Sequence, residues 1–159
     1  MNDTFEFFWS GPFSNWYRSS FEHNGVKYNC GEQYMMHQKA LLFSDTEIAD
    51  EIMLEKDPRK QKAWGREVRG FDESTWIASC QDIMVEGLLS KFRQNPYCQE
   101  KLLSTGDKII VEASPYDKIW GIGLSETDPR ATDPDQWLGQ NLLGVVLMKV
   151  RDILKHEHI

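Results

Sequence analysis

Within the stretch Gly31-Glu32-Gln33-Tyr34-Met35-Met36-His37-Gln38-Lys39-Ala40, a carboxylate and an ammonium stand seven residues apart. At the helical advance of about 100° per residue, Glu32, Met35, Met36, Lys39, Leu42 and Phe43 fall on one side. Both charges therefore belong to a stripe that is otherwise apolar. If that stripe faces a core, the two groups are partly desolvated beside each other, the setting in which pKa shifts make acids, bases and nucleophiles. Two non-catalytic roles stay open at this point. Glu32 stands three residues after Asn29, where a capping box would use it, and Lys39 could lay its stem across the stripe with its ammonium in water.

Other positions carry weaker chemistry. Trp120-Gly121 offers an indole face with backbone room beside it, or simply a core Trp with a turn Gly. Gly65, between Trp64 and Arg66, costs about 1 kcal/mol relative to Ala in a helix. That cost implies close approach by another helix or by a phosphate held on Arg66. Asn15, Glu126, Asp128 and Asn141 are polar groups beside aromatic or Gly positions, where turn and cap roles are also common. There is no P-loop, no dinucleotide glycine fingerprint, no nucleophile elbow and no zinc spacing. Four histidines, at 23, 37, 156 and 158, provide no i, i+4 ligand pair, and His156 and His158 read as a solvated tail. No metal and no cofactor is expected.

These side chains need elements to hold them. Phe5 to Trp9 reads as a short strand, and Phe21 to Tyr28 as a hairpin turning at Asn24-Gly25. Helices are predicted over Cys30–Phe43, Thr46–Leu54, from Asp57-Pro58 toward Arg69 with Gly70 as the stop, and from about Asp72 to Gln94. A short helix follows Asn95-Pro96 and closes at Gly106. Lys108 to Ala113 is β-branched and short, hence a strand. Ser125 to Gln136 reads as a polar loop, and Asn141 to Leu154 as a final amphipathic helix. The expectation is one mainly α domain over residues 1–159, with its core at about 5–155 and small antiparallel β elements.

Composition bounds the function. The 159 residues carry 18 Lys and Arg against 25 Asp and Glu, a net charge of −7. That balance disfavours broad binding to nucleic-acid backbones but permits a local nucleotide pocket, and it predicts a shallow salt dependence. Six Trp, eight Phe and five Tyr are ample material for cores and for stacking on bases. No uncharged run reaches the length that crosses a bilayer. Three widely spaced cysteines and an acidic opening, Met1 to Glu6, fit a reduced cytoplasmic protein whose thiols are packing groups.

Read in order, several of these segments resemble the YbiA/NADAR family. They are Phe13-Ser14-Asn15-Trp16, Gly31 to Ala40, Gly65-Arg66, Lys91-Phe92, Leu102 to Thr105, Trp120-Gly121 and Gly139 to Gly144. The resemblance implies a helical, single-domain N-glycoside hydrolase that cleaves a bond between ribose C1 and an exocyclic amine. Two substrate classes are implied, ADP-ribosylated guanine and the ribosylamino-pyrimidine phosphates of riboflavin biosynthesis. A non-catalytic NAD- or ADP-ribose-binding module is the alternative of another class. Under the resemblance Glu32 and Lys39 become catalytic. Trp120 and Gly121 become a stacking place, Arg66 a phosphate ligand, and Asn15 and Asn141 positioning groups. Riboflavin-type members look like Trp-Gly-Asp-Gly where this chain has Trp120-Gly121-Ile122-Gly123, so a carboxylate role there is lost or moved to Glu126 or Asp128. That departure favours the guanine adduct, free or in nucleic acid, with the 125–136 loop as a wall or lid. A cognate ADP-ribosyltransferase toxin is the partner such an activity implies, and no membrane is involved.

Overall fold

Short-range capping sets most element boundaries in the computed structural model, which describes residues 4–157. Met1-Asn2-Asp3 of the acidic opening, and His158 of the tail, lie outside the described residues. Among the described residues the chain is mainly helical, with six α-helices and four short strands.

Residues 15–95 make one compact unit. Strands β2 (Phe21–His23) and β3 (Val26–Tyr28) pair antiparallel. Asn24 and Gly25 adopt φ of 51° and 79°, the left-handed values that a tight hairpin turn requires. Helix α1 (Gly31–Leu42) packs against α2 (Thr46–Leu54), α3 (Pro58–Gly65) and α4 (Glu73–Gln94). Gly65 is the point where α3 approaches α1: a Cβ there would meet the Met36 sulfur. Gly87 does the same on α4 against the Tyr34 ring. The cost of Gly65 inside a helix is thus offset by helix packing.

Two expectations in this unit need correction. The Asn29–Glu32 capping box does not form. The N-cap of α1 is Cys30, Gln33 occupies N3, and the Gln33 Oε1 accepts the Asn29 backbone N–H at 2.8 Å. Glu32 is therefore released from the structural role its spacing suggested. The third helix also stops at Gly65 rather than running on to Arg69. The reason lies outside the helix: Asp45, already the N-cap of α2, accepts the Arg69 backbone N–H at 2.8 Å and its guanidinium at 2.7 and 3.1 Å. That clamp draws residues 66–69 away from the helical path.

Residues 4–14 and 96–157 make the other unit. Strands β1 (Phe5–Phe8) and β4 (Ile109–Glu112) pair parallel, Phe5 opposite Ile109 and Phe8 opposite Glu112. The β elements are thus one antiparallel and one parallel pair, not antiparallel throughout. Helix α6 (Leu142–Glu157) packs on β4 and on α5 (Pro96–Ser104). Gly144 lets α6 close onto the Ile110 carbonyl. Val111, Ile122, Leu124 and Ala131 form a buried cluster covered by Phe5, Phe7, Ile109 and Trp137. The 125–136 segment is not a free loop. It holds two short 3-10 turns capped by Asp128 and Asp133, and the Trp137 indole donates to the Ala131 carbonyl at 2.8 Å.

Candidate active site

The apolar stripe of α1 runs from core to surface. Glu32 is 4% exposed, Met35 and Met36 are buried, Lys39 is half-buried and Leu42 reaches 38%. The carboxylate therefore sits inside and the ammonium at the margin. Glu32 is held from outside its own helix. Its backbone N–H donates to the Asn15 carbonyl at 2.9 Å, and its Oε1 accepts the Trp16 indole N–H at 2.9 Å. It is the acidic residue of the first turn of α1, at the positive end of the helix macrodipole.

Asn15 is buried, and its side-chain oxygen rests against Gly31, where a Cβ would come within 2.5 Å of it. Trp16 is 43% exposed although its N–H reaches a buried carboxylate, so one indole links that carboxylate to solvent. Trp16 appears in the sequence only as part of a matched segment. Its hydrogen bond spans sixteen residues, and no periodicity signals it.

Lys39 places its ammonium 4.6 Å from the centre of the Phe71 ring, which is braced edge-on by Phe43 at 5.3 Å. Burial pushes the Lys39 pKa below its ordinary value; the Glu32 charge opposes that shift and the Arg66 charge reinforces it. Glu32, Lys39 and Arg66 thus share one electrostatic neighbourhood. Arg66 caps the C-terminus of α3 with its side chain exposed, available for an anion.

A second buried cation was not singled out from the sequence. Lys91, on the inner side of α4, is fully buried, and its charge is felt at the Cys30 thiol. Burial nonetheless pushes that thiol up to about 11, and it donates to Gln61 Oε1 at 3.2 Å. Cys30 is a packing thiol at neutral pH.

In the other unit, Trp120 is 9% exposed, and its backbone N–H is held by Asp117 Oδ1 at 2.8 Å. Gly121 packs against β4: a Cβ would lie 3.0 Å from the Glu112 and Asp117 carbonyls. Ile122 is fully buried in the apolar cluster, so no carboxylate could replace it there without a large desolvation cost. Asn141, at φ 54°, bridges β4 with both ends of its amide, accepting from Glu112 N–H at 3.0 Å and donating to Ile110 at 3.0 Å. Asp128 caps its turn and pairs with Arg130, which lowers its pKa; Glu126 is exposed. No group of His, Cys, Asp and Glu among the described residues could hold a metal ion. No helix there is long and apolar enough to cross a membrane.

A buried carboxylate and a half-buried, depressed-pKa lysine are groups able to supply a proton-transfer residue and a nucleophile, and the exposed arginine can meet an anion. The family model of the NADAR domain matches residues 7–155, across both units, and the chain belongs to that family. It is 46% identical over 145 residues to N-glycosidase R617 of Acanthamoeba polyphaga mimivirus, covering 88% of this chain and 85% of that one. It is 42% identical over 158 residues to Protein irg-1 of Caenorhabditis elegans, covering 89% and 74%. The NMR structure of the Escherichia coli protein YbiA superposes with a TM-score of 0.80 at 27% identity, covering 99% of this chain and 89% of that one.

Proposed function

We propose that this N-glycoside hydrolase removes ADP-ribose from the exocyclic amine of guanine, in a nucleotide or in nucleic acid, within the cytoplasm. The observation that carries the reading is the pairing of a buried, indole-held Glu32 with a half-buried Lys39 of depressed pKa. A pocket for anionic phosphates gains nothing from a buried carboxylate, whereas C1–amine hydrolysis needs an acid, a base and a nucleophile.

The steps follow from the bond. The ribosylamine nitrogen pushes its lone pair toward C1, the ring oxygen leaves C1 and takes a proton, and an imine forms. The neutral Lys39 amine adds to C1, giving a carbon that bears two amines. The Glu32 carboxylate relays a proton from the Lys39 nitrogen to the guanine amine, which departs and leaves C1 doubly bonded to Lys39 nitrogen. Glu32 then takes a proton from water as the water oxygen attacks C1, and passes it to the Lys39 nitrogen. Collapse returns the amine to Lys39 and frees ADP-ribose as the aldehyde, which recloses its ring.

Arg66 is the proposed ligand for a phosphate, and the Trp16 face a wall beside Glu32. Asn15 holds the backbone of Glu32, and within the other unit Asn141 ties β4 to Gly121 beside Trp120. Ile122 in the apolar cluster is what favours the guanine adduct over ribosylamino-pyrimidine phosphates, since the carboxylate of the riboflavin-type pattern has no counterpart at that position.

The test is mass spectrometry of an oligonucleotide carrying ADP-ribose on one guanine, incubated with wild type and with Glu32→Gln. Loss of the adduct with wild type alone supports the reading. No loss with either, and turnover of ribosylamino-pyrimidine phosphates instead, overturns the substrate. Borohydride added during turnover traps a Lys39–sugar adduct if the imine forms. Turnover with no adduct at any pH points to a closed-ring, oxocarbenium-like route in which Glu32 activates water.

A further inference from the structure

Two carboxylate anchors bracket Gly70 and Phe71 in the unit that carries Glu32 and Lys39. On one side Asp45, the N-cap of α2, holds Arg69 by its backbone N–H at 2.8 Å and its guanidinium at 2.7 and 3.1 Å. On the other, Asp72 caps α4, accepting the Thr75 N–H at 3.0 Å and the Ser74 and Thr75 hydroxyls at 2.9 and 2.6 Å. Gly70 turns the chain between them at φ 76°, a left-handed value that glycine takes without a Cβ penalty. This turn sets the Phe71 ring against Phe43, the C-cap of α1.

Phe71 stays 44% exposed, so filling the core does not account for its place. Phe43 braces it at 5.3 Å with the planes at 63°, and the Lys39 ammonium lies over the ring, 4.6 Å from its centre. That separation is inside the roughly 6 Å over which a ring quadrupole attracts a cation. The attraction acts on the ammonium and not on the neutral amine. With the half-buried Lys39 rooted on the α1 stripe, its terminal nitrogen is the part left to be placed, and the Phe71 face is where it rests.

We propose that Phe71 is a positioning residue for the Lys39 nucleophile, its ring face holding the nitrogen while it is charged and releasing it once it is neutral. The inference rests on the reading of Lys39 as nucleophile given above. A flexible stem must give up rotamer freedom before it attacks, and a stem already held over a ring has given up part of it. The charges that act on Lys39 are Glu32 on α1 and Arg66 at the end of α3. The two anchors keep one charge where a lysine titrates: hydrogen bonds from Arg69 lower the Asp45 pKa, and those from Thr75 and Ser74 lower that of Asp72. Phe71 carries no charge, so changing its ring alone leaves these groups as they are.

The experiment replaces Phe71 by trifluorophenylalanine, which keeps the shape of the ring and weakens its negative face, and compares it with wild type and with Phe71→Tyr, which keeps the face. Acetic anhydride labelling across pH, read peptide by peptide by mass spectrometry, gives the midpoint at which the Lys39 amine becomes reactive, with the exposed Lys27 as reference. Losing the attraction disfavours the ammonium, so the Lys39 midpoint should fall by about half a pH unit in the fluorinated protein, while Lys27 holds. Phe71→Tyr should keep the wild-type midpoint. A Lys39 midpoint that fluorination does not move overturns the proposal, and so does a fall in Phe71→Tyr as large as that in the fluorinated protein. In turnover of the modified oligonucleotide, the acid limb of kcat should move down with the labelling midpoint. If the midpoint falls but the limb stays and borohydride traps no adduct in either protein, the hold of Phe71 on Lys39 is supported and the reading of Lys39 as nucleophile has failed.

Discussion

The indole N–H of Trp16 lies 2.9 Å from Oε1 of Glu32 and donates to it, tying a 43% exposed aromatic to a 4% exposed carboxylate. A hydrogen bond to a charged acceptor contributes about 1.5–3 kcal/mol, so Trp16→Phe should lower kcat by about one to two orders of magnitude. KM should move less, because the ring and its stacking face remain. Steady-state kinetics with the modified oligonucleotide, alongside a melting curve to verify folding, checks this. An unchanged kcat would mean that Glu32 keeps its place without the indole.

Two glycines of α3 and α4 face α1, and they should not be equally demanding. At Gly87 a Cβ would meet the Tyr34 ring, whose hydroxyl donates to the Ile83 carbonyl at 2.7 Å and cannot swing aside. At Gly65 the obstacle is the Met36 thioether, a flexible chain that can repack. Gly87→Ala should therefore cost about 1–3 kcal/mol, the range for overpacking a tight interface, and Gly65→Ala less. Urea unfolding of both variants decides it; an equal or reversed order would mean the α1–α4 contact yields more easily than the α1–α3 contact.

What could be read from the sequence was what depends on near neighbours. Helix α2 begins and ends where Asp45 and the local pattern put it, and the Asn24-Gly25 turn is a property of those two residues. Partners far along the chain were not readable. Asp45 reaches Arg69 and shortens α3, β1 finds β4 in parallel across about a hundred residues, and Trp16 finds Glu32. The reading of Glu32 as a cap shows the limit from the other side. A one-residue shift in the helix start hands that task to Gln33, and only the backbone reveals which residue is N3.

His37 gives the fold a pH dependence whose sign is set by burial. The ring is buried with its Nδ1 2.7 Å from the Tyr28 hydroxyl, and burial holds its pKa below the ordinary value, with Asp50 only partly opposing. Folded-state pKa below unfolded means the unfolded chain binds the extra proton first. This contribution to stability is therefore fully present above about pH 6.5 and is lost as the pH falls toward the folded-state value. Urea midpoints should decline across that window in wild type and decline less in His37→Gln. A parallel decline in both would place the acid sensitivity elsewhere.

Lys39 gives the chemistry its own pH dependence, separable from that of the fold. A nucleophilic amine must be neutral, so below its pKa the rate rises about ten-fold per pH unit. Because burial and the Arg66 charge depress that pKa while Glu32 raises it, the acid limb of kcat should lie below the ordinary lysine range of about 10.4. Arg66→Met removes a like charge, so the Lys39 pKa should climb and the limb should move to higher pH, lowering kcat at neutral pH even at saturation. Arg66→Lys keeps the charge and should leave the limb in place, while KM rises because the bidentate phosphate grip is lost. The two variants thus separate electrostatic tuning of Lys39 from phosphate binding. Borohydride trapping across the same pH range should follow the kcat limb in each variant. If Arg66→Met leaves both the limb and the trapping profile where they were, Lys39 is not the group that titrates, and the closed-ring route with Glu32 as base takes its place.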